Sequence, residues 1–353
     1  MKILYGTCGE GMGHVMRSAV VAKHLQAQGH SLEFVCASGR AYDYLERTFG
    51  KIVHRVVGLS TVMTGNSLRP IATMGLNLLQ QSIASPFAHV GTFLAVQRPD
   101  VVISDFEPFV ARYAGASKIP LLALDNIHFM NRFEHSRLGL GNGADRAAAA
   151  IMFAATSEMV PGADRYMVTS FVEAKARLDR TSLHLPILRN EILSGAKTVG
   201  DHIIVYLNEK AESARVLGVL KTLGGWKFKT FGMEGTGSSN VEVIPFSTDR
   251  FLKEFLSSRA VIGGAGFTLM TEAIYSGKPM LALPFEGQFE QILNANYLQK
   301  LGWGERSRGF SSQEVGGFLS RTEIYRERLR GIVHDGNAEL LASVDQWIGR
   351  WAA

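Results

Sequence analysis

Short apolar runs recur along this chain in two series, each run followed by a turn and then a helical pattern. The first series is KILYG (2–6), HSLEFVCA (30–37), VVISD (101–105) and PLLALD (120–125). The second is HIIVYL (202–207), KFKTFG (227–232), VEVIPF (241–246), RAVIGG (259–264) and PMLALPF (279–285). Runs of this length read as strands buried on both faces, the condition of a parallel sheet. Helical patterns intervene, for example at 15–28, 210–223 and 267–276, and strand–helix–strand order brings parallel pairing with a right-handed crossover. The fold class expected is therefore α/β, with two Rossmann-like, doubly wound parallel-sheet domains. The polar, glycine- and proline-bearing segment LPILRNEILSGAKTVGD (185–201) suits a linker. It divides the chain into an N-terminal domain, 1–190, and a C-terminal domain, 200–335. AELLASVDQWIGRW (338–351) reads as an amphipathic helix ending in Trp347 and Trp351, whereas 129–160 mixes loop and helix signals.

Bulk properties narrow the function classes. The chain has 353 residues, 46% of them apolar and 20% charged, with two cysteines, Cys8 and Cys36. That excludes a disulfide framework and a cysteine metal cluster. MKILYGTCGEG has too short an apolar run for a signal peptide, and no stretch reaches membrane-span length. The expectation is a cytoplasmic protein. The net charge of +5 is spread along the chain. It reads as a mildly basic surface or as attraction to anions, a nucleotide diphosphate or an anionic membrane surface, and gives no sign of nucleic-acid binding.

The first glycine turn is Gly9-Glu10-Gly11-Met12-Gly13-His14, between a strand and a helix. Glycines let backbone approach a ligand closely, and a helix start favours anions. Dinucleotide binding would want GxGxxG and an acidic residue closing the second strand. Here His14 replaces the last glycine and Glu33 lies inside the strand, so NAD is disfavoured. His14 stands at the carboxyl edge of the sheet, where such folds bind ligands. It is either a packing or capping histidine or a general base.

The second turn is GGAGFTLMTEA (263–273). Backbone N–H groups of Ala265, Gly266 and Phe267, with the Thr268 hydroxyl, suit a diphosphate. Glu272 lies four residues beyond Thr268, on the same helix side, and suits ribose hydroxyls. The plain alternative is a strand–helix turn with a capping threonine and a solvated glutamate.

From Gly263 to Asn296 the chain resembles the donor-binding region of GT-B fold glycosyltransferases, both MurG-type and plant-type UDP-glycosyltransferases. The matching features are the glycine turn, Thr268, Glu272, Gly277-Lys278-Pro279, Pro284, Glu290-Gln291 and Asn294. GEGMGH (9–14) is similar to the glycine-rich acceptor loop of those families. VVISDFEP (101–108) and LDNIHF (124–129) resemble a bacterial and archaeal branch of them. The resemblance implies a GT-B fold whose final helix, 338–352, returns to the N-terminal domain, and domain closure about the linker. It implies that Gly264, Ala265, Gly266, Phe267 and Thr268 bind the diphosphate and Glu272 the ribose. Pro245 and Phe246 would meet the base, and Asn208 the phosphates or the acceptor. Glu290 and Gln291 would contact the sugar, with Gln288 as the alternative to Gln291. Gly11, Met12 and Gly13 would form the acceptor loop.

The resemblance further implies inverting transfer from a nucleoside-diphosphate sugar, most simply UDP-linked, to an acceptor hydroxyl. His14 would be the base and Asp105 would orient it, as in a triad; Asp105 as a structural carboxylate is the alternative, and Glu107 and Glu10 are rival bases. No DxD occurs in the sequence, so no metal or other cofactor is expected. A nucleotide-sugar epimerase or hydrolase, or a non-catalytic nucleotide-sugar binder, are the competing functions. Residues 60–95 are apolar and low in charge. They read either as helical core or as the lining for an apolar or lipid-linked acceptor, with peripheral membrane contact.

Overall fold

The computed structural model describes residues 1–9, 11–37, 39–56, 63–64, 67–68, 98–136, 139–207 and 212–352. The stretch 60–95, apart from the short antiparallel pair β4 (Met63–Thr64) and β5 (Ser67–Leu68), lies outside them, as do Glu10 and Asn208.

The first sheet has seven parallel strands. They are β1 (Lys2–Thr7), β2 (Ser31–Ala37), β3 (Val53–Val56), β6 (Val101–Asp105), β7 (Leu121–Asp125), β8 (Arg165–Thr169) and β9 (Thr181–His184), in the order β3-β2-β1-β6-β7-β8-β9. The second has six: β10 (His202–Tyr206), β11 (Lys227–Phe231), β12 (Val241–Ile244), β13 (Ala260–Gly264), β14 (Met280–Leu283) and β15 (Gly304–Arg306), in the order β12-β11-β10-β13-β14-β15. In both, the chain lays strands outward on one side of the first strand and then resumes on the other. That reversal opens a crevice at the carboxyl ends of β1 and β6 in one sheet and of β10 and β13 in the other, where such folds take ligands. The register Thr7↔Asp105 and Tyr206↔Gly263 fixes which residues edge each crevice. VVISD and LLALD are buried at every position, the two-sided burial that their continuous apolar runs predict.

Among the described residues the helices are α1 (Met12–Ala27), α2 (Arg40–Phe49), α3 (Pro108–Ser117), α4 (Phe129–Arg132), α5 (Gly143–Met159), α6 (Asn190–Ser194), α7 (Ser213–Lys221), α8 (Thr248–Leu256), α9 (Phe267–Tyr275), α10 (Phe289–Leu301), α11 (Ser312–Ser320), α12 (Thr322–Leu329) and α13 (Ala338–Gly349). α5 resolves the ambiguous 129–160 region: Asn142 and Asp145 form a capping box that starts it. β3, β8, β9 and β15 carry too mixed or too short a pattern for periodicity to find.

One apolar cluster runs from the first half into the second, containing Phe129, Phe133 and Phe171 beside Phe267, Phe289 and Leu298. Phe171 and Phe267 lie 6.1 Å apart, Phe153 and Phe289 5.7 Å. Arg306 crosses to Asp145 at 2.9 Å. The two sheets are thus joined by packed aromatic surface, not by the linker alone. α13 sends Leu340, Val344, Trp347 and Ile348 into the cluster of Ile3, Val15 and Leu25 in the first half. His24 holds Asp345 at 2.9 Å and His184 holds Glu339 at 2.8 Å.

Trp347 is 3% exposed and Trp351 40% exposed. Trp347→Ala should cost about 3–5 kcal/mol of unfolding free energy through lost burial and the cavity left behind. Trp351→Ala should cost under about 1 kcal/mol. Denaturant titration of both variants measures this, and equal losses would contradict the packing described.

Candidate functional site

α1 and α9 begin in the same way. Each follows the carboxyl end of a strand bordering a crevice, and each starts from a glycine, Gly11 and Gly266, with no side-chain cap. Among the described helices only α3, α5 and α11 carry a side-chain cap, from Glu107, Asn142 and Ser311, so what sets α1 and α9 apart is that their open starts lie at the crevices. An uncapped start leaves first-turn N–H groups and the positive end of the helix dipole available to an anion. Gly11 has φ 85°, a conformation glycine adopts without strain. The two starts touch: a Cβ at Gly13 would lie 2.6 Å from Thr268 Oγ1. Glycine at 13 therefore lets one crevice close on the other. Ala265 is fully buried, backbone included, and Phe267 is 8% exposed, whereas Gly266 and Thr268 are partly exposed at the start of α9.

Behind this junction lies a buried polar cluster. His14 Nδ1 is 2.7 Å from Asp105 Oδ1, bringing together the two residues that the family resemblance paired. Asp105 is fully buried, and its oxygens are saturated. Arg17 donates through Nε to Oδ2 at 2.7 Å and through Nη2 to Oδ1, and Ser18 Oγ donates to Oδ2 at 3.0 Å. Burial alone would raise the Asp105 carboxyl; Arg17, and then His14, outweigh it and hold the carboxyl below its usual value. Arg17 Nη2 also lies 2.6 Å from His14 Nδ1. A guanidinium offers only donors, so Nδ1 either donates to Asp105 or accepts from Arg17. Donation to Asp105 leaves Nε2 with a free lone pair, as a base requires.

The cluster continues across the cleft. Arg17 Nη1 donates to Asn126 Oδ1, and Asn126 Nδ2 donates to Glu290 Oε1 at 3.1 Å. Asn294 Nδ2 donates to the same oxygen at 2.7 Å and reaches the Ala265 carbonyl at 3.2 Å. A continuous path of polar groups thus links His14 to the turn that opens α9. Burial raises the Glu290 carboxyl, opposed by Asn294, His14, Arg17 and Asn126.

Other predicted residues are arranged as follows. Glu272 is 2% exposed rather than solvated, and Arg189 of the linker forks onto both its oxygens at 2.7 Å. Burial raises its carboxyl against that pairing. Gln291 Oε1 accepts from the Phe285 backbone at 3.2 Å, whereas Gln288 stands at the start of α10 without capping it. Pro245 and Phe246 follow β12 and are exposed; the Phe246 ring stacks on Tyr206 at 5.6 Å. Met12 and Gly264 are partly buried at the two starts. Asn208 and the rival base Glu10 lie outside the described residues. Glu107, the other rival, caps α3 by accepting from the Val110 N–H at 2.7 Å and is 3% exposed. There it satisfies an otherwise orphan donor of the helix start.

Sequence reasoning missed Arg17, Asn126 and Arg189. Arg17 carried a signal, since three residues beyond His14 is the same helix face. Asn126 lies in LDNIHF, which the resemblance singled out, but nothing local points to its partner 164 residues away, nor to that of Arg189, 83 residues away.

A family model described as glycosyl transferase family 1 matches residues 1–323. An uncharacterized glycosyltransferase of Methanosarcina mazei is 25% identical over 339 residues, covering 86% of this chain and 85% of that protein. Among solved structures, Phytolacca americana UGT2, complexed with UDP-2fluoro-glucose and pterostilbene, aligns with a TM-score of 0.68 at 14% identity over 98% of each chain. Acinetobacter baumannii MurG aligns with a TM-score of 0.60 at 16% identity, covering 98% of this chain and 99% of that one. These structural likenesses establish the GT-B fold.

Burial pushes the Glu107 carboxyl up to about 7, against the Val110 and Phe109 N–H groups. Because the folded value is raised, the stability Glu107 contributes is full below its unfolded value near 4.5 and is lost as pH rises through about 7. Glu107→Gln, which keeps an acceptor for the cap, should therefore gain on the wild type by about 2 kcal/mol between pH 5 and pH 8. Denaturant unfolding at the two pH values measures this; a difference that does not change with pH would mean the carboxyl is ionised throughout.

Proposed function

The chain belongs to glycosyl transferase family 1, and on that premise we propose that it transfers a sugar from a UDP-linked donor to an acceptor hydroxyl, inverting the anomeric carbon without a metal ion. The observation that carries this reading is the contact of the two uncapped helix starts beside the His14–Asp105 pair. The donor diphosphate sits at the N–H groups of Gly266, Phe267 and Thr268, with the start of α1 facing it through Gly11, Met12 and Gly13. Two positive helix ends converge there on the charge that develops as the nucleoside diphosphate leaves, which is the stabilisation a metal would otherwise supply.

His14 takes the acceptor proton at Nε2 as the hydroxyl oxygen attacks the anomeric carbon. Asp105 keeps the other proton on Nδ1 and balances the imidazolium that forms, while Arg17 and Ser18 hold Asp105 still. The base of the nucleotide lies on the exposed Phe246 ring, and Pro245 borders it. Glu272 takes the ribose hydroxyls on the lone pairs that Arg189 leaves, since the fork uses one acceptor position on each oxygen. Glu290 and Gln288 meet the sugar. The Gln291 side chain is committed to the Phe285 backbone, which favours Gln288 as the amide partner.

His14→Ala should lower kcat by about 10²–10⁴-fold and change the affinity for nucleoside diphosphate little. Proton NMR of the first-formed product should give the anomeric configuration opposite to the donor's. Retained configuration, or near-normal turnover by His14→Ala, would overturn the mechanism. Release of free sugar from the donor at the same rate with and without acceptors would make the protein a hydrolase.

A further inference from the structure

Glu290 receives two N–H donors on one oxygen, from Asn126 and Asn294, and among the described residues none on the other. It is 8% exposed, at the first turn of α10, with burial raising its carboxyl. Asn126 belongs to the opposite half of the molecule. It is 4% exposed and sits at the end of β7. Its amide is used twice: the oxygen accepts from the Arg17 cation and the nitrogen donates to the Glu290 anion. These partners fix the amide's orientation, because a guanidinium only donates and a carboxylate only accepts. No side chain of the same shape substitutes: a carboxylate would serve Arg17 but repel Glu290, and an apolar group would leave two buried charges short of a partner.

We propose that Asn126 is the positioning residue of the donor's sugar subsite. It fixes Glu290 so that its second oxygen is presented to a sugar hydroxyl. By accepting from Arg17 it also locks that carboxylate in register with Asp105 and His14. Sugar recognition in the second half and proton removal in the first are thereby one hydrogen-bonded unit. This inference rests on the transferase reading above. It goes beyond it in making a residue of the acceptor-side half responsible for how the donor's sugar is held. The charged groups that Asn126 touches are Arg17 from α1 and Glu290 from α10, and Arg17 in turn meets Asp105 from β6 and His14. Its chain neighbour Asp125 is engaged by His128 at 2.7 Å.

The test is calorimetry with matched pairs of ligands: UDP and UDP-glucose, GDP and GDP-mannose, dTDP and dTDP-glucose. Each pair is titrated into the full chain as wild type, Asn126→Ala and Asn126→Asp. At pH 8 both variants should bind the free diphosphate within about two-fold of wild type, yet lose about ten-fold in affinity for the sugar nucleotide, the size of one hydrogen bond to a charged group. Lowering the pH to 5.5 should restore sugar binding in Asn126→Asp alone. Two carboxylates in that position share a proton more readily than either would take one, and the shared O–H replaces the lost N–H donor. Asn126→Ala has nothing to protonate and should stay weak. Equal loss of diphosphate and sugar nucleotide, or unfolding of both variants in a thermal melt, would assign Asn126 to the framework and overturn the proposal. So would variants that keep the wild-type preference. Wild-type protein that binds no member of any pair would instead remove the transferase reading, and this inference with it.

Discussion

Asp105 and Arg17 form an ion pair almost wholly withdrawn from water, and the arrangement around it follows from what such a pair requires. Removing either partner of a buried pair typically costs about 3–5 kcal/mol, because the remaining charge has no solvent to meet. The pair is tolerable only when every acceptor and donor position is used. Asp105 closes a strand beside β1, so α1, which leaves β1, is the element able to supply partners. It supplies His14, Arg17 and Ser18 from one face. Arg17 has one nitrogen left over, and Asn126 accepts from it. The polar path into the second half begins there, as the continuation of a charge-balancing requirement.

The second constraint is steric. Two parallel-sheet domains can bring their crevices together only if nothing bulky stands between the helix starts. Gly13 meets Thr268 where no Cβ would fit without a shift. On either side of this contact, aromatic residues of both halves pack into one cluster. Opening the cleft would expose that surface and break the Asn126–Glu290 and Arg306–Asp145 links together. The closed arrangement thus has an apolar and a polar component that favour it jointly.

The sequence made the architecture legible because parallel strands buried on both faces leave continuous apolar runs, and these placed nine strands near their observed positions. β3, β8, β9 and β15 escaped because their patterns are too short or too mixed to stand out from the residues around them. In the candidate site, His14 and the glycine turns were legible because each is local, a residue type at a strand end or helix start, whereas the partnership of His14 with Asp105, 91 residues away, came only from the family resemblance. What escaped were the distant pairings that no resemblance supplied. The sequence offers Glu272 as a ribose ligand or a solvated glutamate and gives no sign of the Arg189 fork that buries it, and it offers Glu107 as a rival base without showing the helix start that it caps. Asn126 is an ordinary polar residue after a strand until its amide is found between a cation and an anion.

If the meeting point of the α1 and α9 starts holds a nucleoside diphosphate, calorimetric titration of the wild type and of Gly13→Val with UDP, GDP and dTDP will show it. One diphosphate should bind the wild type at about micromolar strength, and the valine, by forcing the two starts apart, should weaken this by about ten-fold or more. A matching thermal melt for the two proteins would show that the loss is local. No binding by the wild type, or undiminished binding by Gly13→Val, would mean that the diphosphate lies elsewhere.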